Sequence, residues 1–178
     1  VRIEGEKNIR AVKGKISVPI IGIIKNDLKE SKVRITPLLK DVDKVIKSGA
    51  DIIAFDATKR KRPFSTKEII SKIKKANRLA MADCSNLDDA KNAILEGVDI
   101  IGTTLAGYVG KQAKDTDEPD FKLVKQFRKL NCFVMAEGRY NSPKLAKKAI
   151  LAGADAVTVG SAITRIDNIT SWFVKEIT

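Results

Sequence analysis

Seven short apolar runs, at residues 1–5, 19–25, 51–58, 79–85, 99–105, 132–138 and 156–163, alternate along this chain with stretches of helical periodicity. The helical stretches fall at about 7–15, 37–48, 66–76, 87–96, 119–130 and 143–152, and a last amphipathic one covers 169–177. The longer runs are continuous rather than alternating, which suits strands buried on both faces of a parallel sheet. Three of them are entered by one phrase, a helix ending in Gly, one residue, then Asp: Gly49-Ala50-Asp51, Gly97-Val98-Asp99 and Gly153-Ala154-Asp155. Gly just past a helix supplies the left-handed residue that stops it. A junction recurring at about fifty residues, with weaker junctions between, predicts a serial βα architecture. Start signals agree. Thr36-Pro37 and Ser142-Pro143 each place a capping residue before a proline at the first helical position, and Ser65 with Glu68 predicts a capping box.

Seven βα units fall one short of the eight that close a (β/α)8 barrel. An open seven-strand array would leave two apolar edges. The expectation is therefore a TIM barrel formed as one domain by residues 1–178, lacking its first βα unit in this sequence. The runs 1–5 and 156–163 should then not pair directly, but leave a gap of one strand, roughly 10 Å between axes. A doubly wound open sheet is the alternative.

Composition narrows the chemistry. The chain has no His, which removes His-based triads and His-ligated metal sites. Cys84 and Cys132 lie in apolar runs with no metal or redox spacing, which reads as reduced thiols in a cytoplasmic protein. No apolar run approaches the ~20 residues of a membrane span. The net charge of +12 admits nucleic acid, a membrane surface or an anionic metabolite as partner. Most of the excess is Lys on helix faces, and aromatics are only 5%, too few for the interleaved pattern of nucleic-acid modules. No nucleic acid and no membrane are expected as partners.

Chemistry in such a barrel sits at the carboxyl ends of the strands. The polar residues there are Arg2, Lys25, Asp56, Asp83, Thr103, Thr104, Glu137, Arg139, Gly160 and Ser161. At the end of its run the Lys25 ammonium would be partly desolvated, with Arg2 near, and both effects favour a neutral amine able to act as base. A strand also ends in Lys simply where it reaches solvent. Glu137 can relay a proton or pair with Arg139 or Arg2. Asp56 and Asp83 suit sugar hydroxyls or the orientation of a lysine. Gly160-Ser161, opening a short helix, offers backbone N–H groups to an anion, with Arg165 as a further cation. The basic run Lys59-Arg60-Lys61-Arg62-Pro63 reads as a mouth-side loop that screens an anionic substrate or contacts a second subunit.

These residues resemble the N-acylglucosamine-6-phosphate 2-epimerase family. The resemblance is carried by Gly22-Ile23-Ile24-Lys25, by Asp56-Ala57-Thr58 with Arg60-Lys61-Arg62-Pro63, and by Met81-Ala82-Asp83. It continues in Gly102-Thr103-Thr104-Leu105-Ala106-Gly107-Tyr108, Ala136-Glu137-Gly138-Arg139 and Gly160-Ser161-Ala162-Ile163-Thr164-Arg165. It implies a (β/α)8 barrel that interconverts N-acetylmannosamine 6-phosphate and N-acetylglucosamine 6-phosphate in sialic acid breakdown, without metal or other cofactor. It makes Lys25 the proton carrier at C2 and Glu137 the essential carboxylate. Arg2, Asp56, Asp83 and Thr104 would contact substrate, and Gly138, Arg139, Gly160, Ser161 and Arg165 the phosphate. Ala106 stands where the family often has Ser, and Ile166 where Pro is usual. The family's first strand and helix have no counterpart before Val1. A Schiff-base aldolase using Lys25, or a basic nucleic-acid-binding protein, are the other readings, and a homodimer is admitted.

Overall fold

A computed structural model describes residues 1–109 and 118–177. The seven apolar runs become β1 (Arg2–Glu4), β2 (Ile21–Ile23), β3 (Ile52–Asp56), β4 (Leu79–Asp83), β5 (Ile100–Gly102), β6 (Phe133–Glu137) and β7 (Ala156–Thr158). Six helices follow the first six strands in turn: α1 (Glu6–Val12), α2 (Leu39–Lys47), α3 (Thr66–Lys75), α4 (Leu87–Leu95), α5 (Phe121–Phe127) and α6 (Pro143–Leu151). The chain closes with α7 (Ser161–Thr164) and α8 (Ile166–Ile177).

All six strand pairings are parallel, and the sheet order is β1 through β7 without a crossover. A doubly wound sheet would reverse its order at a switch point. This one does not, so that alternative is excluded. The sheet also curls. Arg2 on β1 bonds to Asp83 on β4 and Glu137 on β6, whereas in a flat sheet β1 and β4 would stand ~14 Å apart at the usual ~4.8 Å spacing. The architecture is thus seven-eighths of a (β/α)8 wall. Among the described residues no ladder joins β1 to β7, as expected.

Burial separates two apolar layers. Ile21, Ile23, Ile52, Met81, Ile100 and Met135 pack inside the curl. Their alternate neighbours, such as Ile53, Phe55, Ile101 and Val134, pack outward against the helices. Outward-facing Gly22 is required by that packing: a Cβ there would lie 2.5 Å from Val45 Cγ1 and 2.7 Å from Ala50 Cβ. The helices α1 and α2 can approach β2 only over a residue with no side chain.

The repeated Gly-x-Asp phrase performs a second task. Besides the left-handed Gly (φ +95°, +94° and +108°), each Asp clasps the strand before its own. Asp51 accepts from Ile20 N–H at 2.9 Å, Asp99 from Ala80 N–H at 2.8 Å, and Asp155 from Val134 N–H at 2.8 Å. The other oxygen of each takes a cation from the helix side, respectively Lys13, Lys74 and Arg128. The period of fifty residues is thus a period of two βα units, each pair tied at the amino ends of its strands.

Several local expectations change. Ser142 and the Ser65–Glu68 box cap their helices as expected. Thr36 does not: α2 starts at Leu39, and the buried Thr36 (φ +45°) instead donates to Ala54 O at 2.7 Å. Thr36 thereby tethers the loop to β3 rather than capping the helix. Residues 25–35 form an excursion in which Lys25 pairs antiparallel with Ile35. The last apolar run stops as a strand at Thr158, and its second half is α7.

Candidate active site

At the carboxyl ends of the strands, three side chains from distant parts of the chain meet. The Arg2 guanidinium bonds Asp83 in a fork, NH1 to Oδ1 at 2.9 Å and NH2 to Oδ2 at 2.6 Å, and NH1 also reaches Glu137 Oε2 at 3.0 Å. The Asp83 side chain is fully buried and those of Arg2 and Glu137 are 9% and 15% exposed. Strand parity places them. Asp83 follows Met81, and Glu137 follows Met135, two residues further along the inner face. Arg2 lies on the inner face of an edge strand, and its long stem crosses the mouth.

Threonines complete the cluster. Thr104 Oγ1 donates to Asp83 Oδ1 at 2.7 Å. The Thr158 and Thr104 hydroxyls lie near the Glu137 carboxylate and favour its ionised form. Among the described residues one cation nevertheless serves two carboxylates. Burial, together with the charge of Asp83, outweighs Arg2 and the hydroxyls, and pushes the Glu137 carboxyl up to about 7. A carboxyl group poised there can release or take up a proton at neutrality.

That shift has a stability consequence with a definite sign. The ordinary value is 4.5. Between about 4.5 and 7 the folded protein keeps a proton that the unfolded chain has released, so this group's contribution falls as pH rises. Urea denaturation should show the wild type losing stability relative to Glu137→Gln across that window. A difference that stays flat with pH would contradict the raised value.

The remaining candidates are placed differently. Lys25 continues the inner-face series of Ile21 and Ile23 beyond β2, but it is exposed at the mouth rather than partly desolvated as expected. The excursion of residues 25–35 carries it outward. Asp56 ends β3 on the inner face, yet both its oxygens are occupied: Oδ1 accepts from Thr58 N–H at 3.0 Å and Thr58 Oγ1 at 2.6 Å, and Oδ2 pairs with Arg60. Arg62 ties the same loop, donating to Asp56 O at 2.5 Å and Thr58 O at 3.1 Å. The basic run is therefore largely a built loop, docked on the neighbouring excursion where Ser31 Oγ donates to Lys61 O at 2.5 Å. The cation that Asp56 holds is thus an arginine of its own loop rather than a lysine.

Gly138 and Arg139 both have left-handed backbone (φ +103° and +63°), which turns the chain sharply after β6. Arg139 donates to Ala106 O at 2.9 Å and stacks 4.0 Å above the Tyr108 ring, and so fastens the turn after β5. Glu137 pairs with Arg2, not with Arg139. Gly160 precedes α7, and Ser161 begins it; first-turn N–H groups have no partner inside a helix. Arg165 is exposed and grips Asp167 through Nε at 3.0 Å and NH2 at 2.7 Å. Phosphate candidates thus stand on two strand ends, with their two guanidinium groups already partnered. Sequence reading missed Thr158 as a neighbour of Glu137, although its inner-face parity beside Glu137 on β7 was a usable signal.

Both cysteines are free, and burial pushes the Cys84 thiol up. Among the described residues, no helix is long and apolar enough to cross a membrane, and no group of three or more Cys, Asp or Glu is placed to hold a metal ion.

A family model described as "Putative N-acetylmannosamine-6-phosphate epimerase" (NanE) matches residues 1–178. A relative from Vibrio vulnificus named "Putative N-acetylmannosamine-6-phosphate 2-epimerase" is 57% identical over 173 residues, 97% of this chain and 76% of that protein. One of the same name from Haemophilus influenzae is 51% identical over 177 residues, 99% of this chain and 77% of that protein. Among solved structures, the N-acetylmannosamine-6-phosphate 2-epimerase of Clostridium perfringens superposes with a TM-score of 0.95 at 40% identity, covering 98% of this chain and 77% of that one. FabK from Thermotoga maritima superposes at 0.63 with 17% identity, a likeness of fold alone. With strand order, mouth geometry and motifs in agreement, this chain belongs to the N-acetylmannosamine-6-phosphate epimerase family.

Proposed function

We propose that the protein interconverts N-acetylmannosamine 6-phosphate and N-acetylglucosamine 6-phosphate by removing and returning the proton on C2. The observation that carries this reading is the Arg2–Asp83–Glu137 cluster at the mouth, in a chain of this family, with Lys25 two residues beyond the carboxyl end of β2. Once the sugar ring opens, the proton on C2 lies beside an aldehyde and becomes acidic. Lys25 in its neutral form takes it as general base, and a proton returns to the opposite face of C2 from a group reaching that face or after the substrate reorients. Glu137, titrating near neutrality, moves a proton on the developing enol oxygen or on the amide, while Arg2 offsets charge that builds there.

Asp83 holds Arg2 and is itself held by Thr104, this group faces the sugar, and Asp56 acts through Arg60 at the rim. The phosphate is assigned to Gly138, Arg139, Gly160, Ser161 and Arg165 on the strength of the family resemblance. Binding energy from that remote group is spent on the reaction at C2, so the unphosphorylated sugar is a poor substrate. The proposed setting is the cytoplasm and the breakdown of sialic acid, with the rim loop of residues 59–63 as the proposed surface of a homodimer.

Proton NMR in D2O with N-acetylmannosamine 6-phosphate tests this reading. The expected outcome is appearance of the gluco isomer with deuterium at C2. Absence of conversion, with a covalent adduct trapped by borohydride, would replace the epimerase by a Schiff-base enzyme.

A further inference from the structure

The geometry points to Thr103 as the positioning residue for Glu137, an inference that rests on the reading of Glu137 as the working carboxyl group. The strands β5 and β6 run as a regular parallel ladder as far as Gly102 and Met135, and Thr103 N–H still donates to Met135 O at 3.1 Å. A regular ladder would next join Glu137 N–H to the Thr103 carbonyl, and then Leu105 N–H to the Glu137 carbonyl. Neither bond forms. The chain leaving β5 peels toward β4, where Leu105 N–H donates to Cys84 O at 3.1 Å, and the Thr103 carbonyl accepts from Ala106 N–H at 3.0 Å in a turn.

That departure strands both backbone groups of Glu137 at the last residue of β6. The Thr103 hydroxyl takes the two together: it donates to Glu137 O at 2.9 Å and accepts from Glu137 N–H at 3.0 Å. Thr103 is only 2% exposed, so water does not reach the bonds to compete for them. A single hydroxyl therefore stands in for two ladder positions. The peeling has its own use, since it carries Thr104 to Asp83, the other carboxylate on Arg2. Thr103 holds Glu137 in line with Arg2 while its own strand bends away to complete the same cluster. Only a side chain that both donates and accepts within this space performs that task, which limits the position to Thr or Ser.

Thr103→Val keeps the shape and removes both bonds. Misplacing a working group by about 1 Å can cost roughly a hundredfold. The expected result is a folded protein whose kcat falls about 10- to 100-fold with KM within about threefold, and a Glu137 amide that loses hydrogen-exchange protection. Thr103→Ser should keep kcat within about threefold and retain the protection. Wild-type kcat in Thr103→Val, with Glu137→Gln inactive, would overturn the inference and leave the role of Glu137 standing. Full activity in Glu137→Gln would overturn that role instead. Should Thr103→Val fail to fold, Thr103→Ser decides: loss of Glu137 amide protection in a folded Ser variant rejects the assignment.

Discussion

Lys25→Met should remain folded and lose epimerisation by about a hundredfold or more, the effect expected when a main general base is removed. The fold is indifferent to this side chain. Lys25 is exposed, and its ammonium makes no ion pair among the described residues, so the substitution should change stability by no more than about 0.5 kcal/mol. Its place at the mouth, two residues beyond Ile23 on the inner face, is what makes it reachable by substrate. The chain has no His to take over the proton. Initial rates in both directions, with thermal unfolding of the same preparations, separate the two effects. A variant that keeps a tenth of wild-type turnover removes Lys25 from the proposed role.

Arg2→Met should damage the fold as well as the chemistry. Among the described residues the Arg2 side chain is the one cation bonded to both Asp83 and Glu137. Removing one partner of a buried ion pair strands the other, at a cost of about 3–5 kcal/mol. Against a total stability of about 5–15 kcal/mol that is a large fraction. The cost is partly relieved through Glu137, which takes up a proton more readily once Arg2 is gone. The double variant Arg2→Met/Asp83→Asn should therefore regain part of the loss, because it removes the stranded charge that is most deeply buried. Urea denaturation at pH 7 measures both. Arg2→Met within about 1 kcal/mol of wild type would mean that the cluster does not hold the mouth together.

The outcome at particular residues divides by the range of the forces involved. Ser65 with Glu68 and Ser142 with Pro143 were legible because a cap is decided within four residues. Thr36 carries a similar local signal and answers instead to Ala54, a partner 18 residues away and buried. Asp56 was legible as a polar strand end, but whether its carboxylate stays open depends on how Thr58 and Arg60 fold back over it. Arg165 was legible as a cation near Gly160, and its bidentate grip on Asp167 is set by where α8 begins.

The sequence by itself determined the order of strands and helices, their parallel sense, and the residues that end each strand. Continuous apolar runs, glycine stops and short connections act locally, and leave few topologies open. It also determined the family, through motifs at the strand ends. Only the tertiary structure decided which of those ends face one another. Arg2 and Glu137 are 135 positions apart, and meet because the sheet curls and brings β1 across to β4 and β6. The same curl leaves one guanidinium between two carboxylates in a water-poor mouth, and so raises Glu137. It also turns the hydroxyl of Thr103 into the brace for Glu137 where β5 leaves the ladder. Those properties arise from charge, burial and backbone divergence between segments remote in the chain, and no local pattern of residues encodes them.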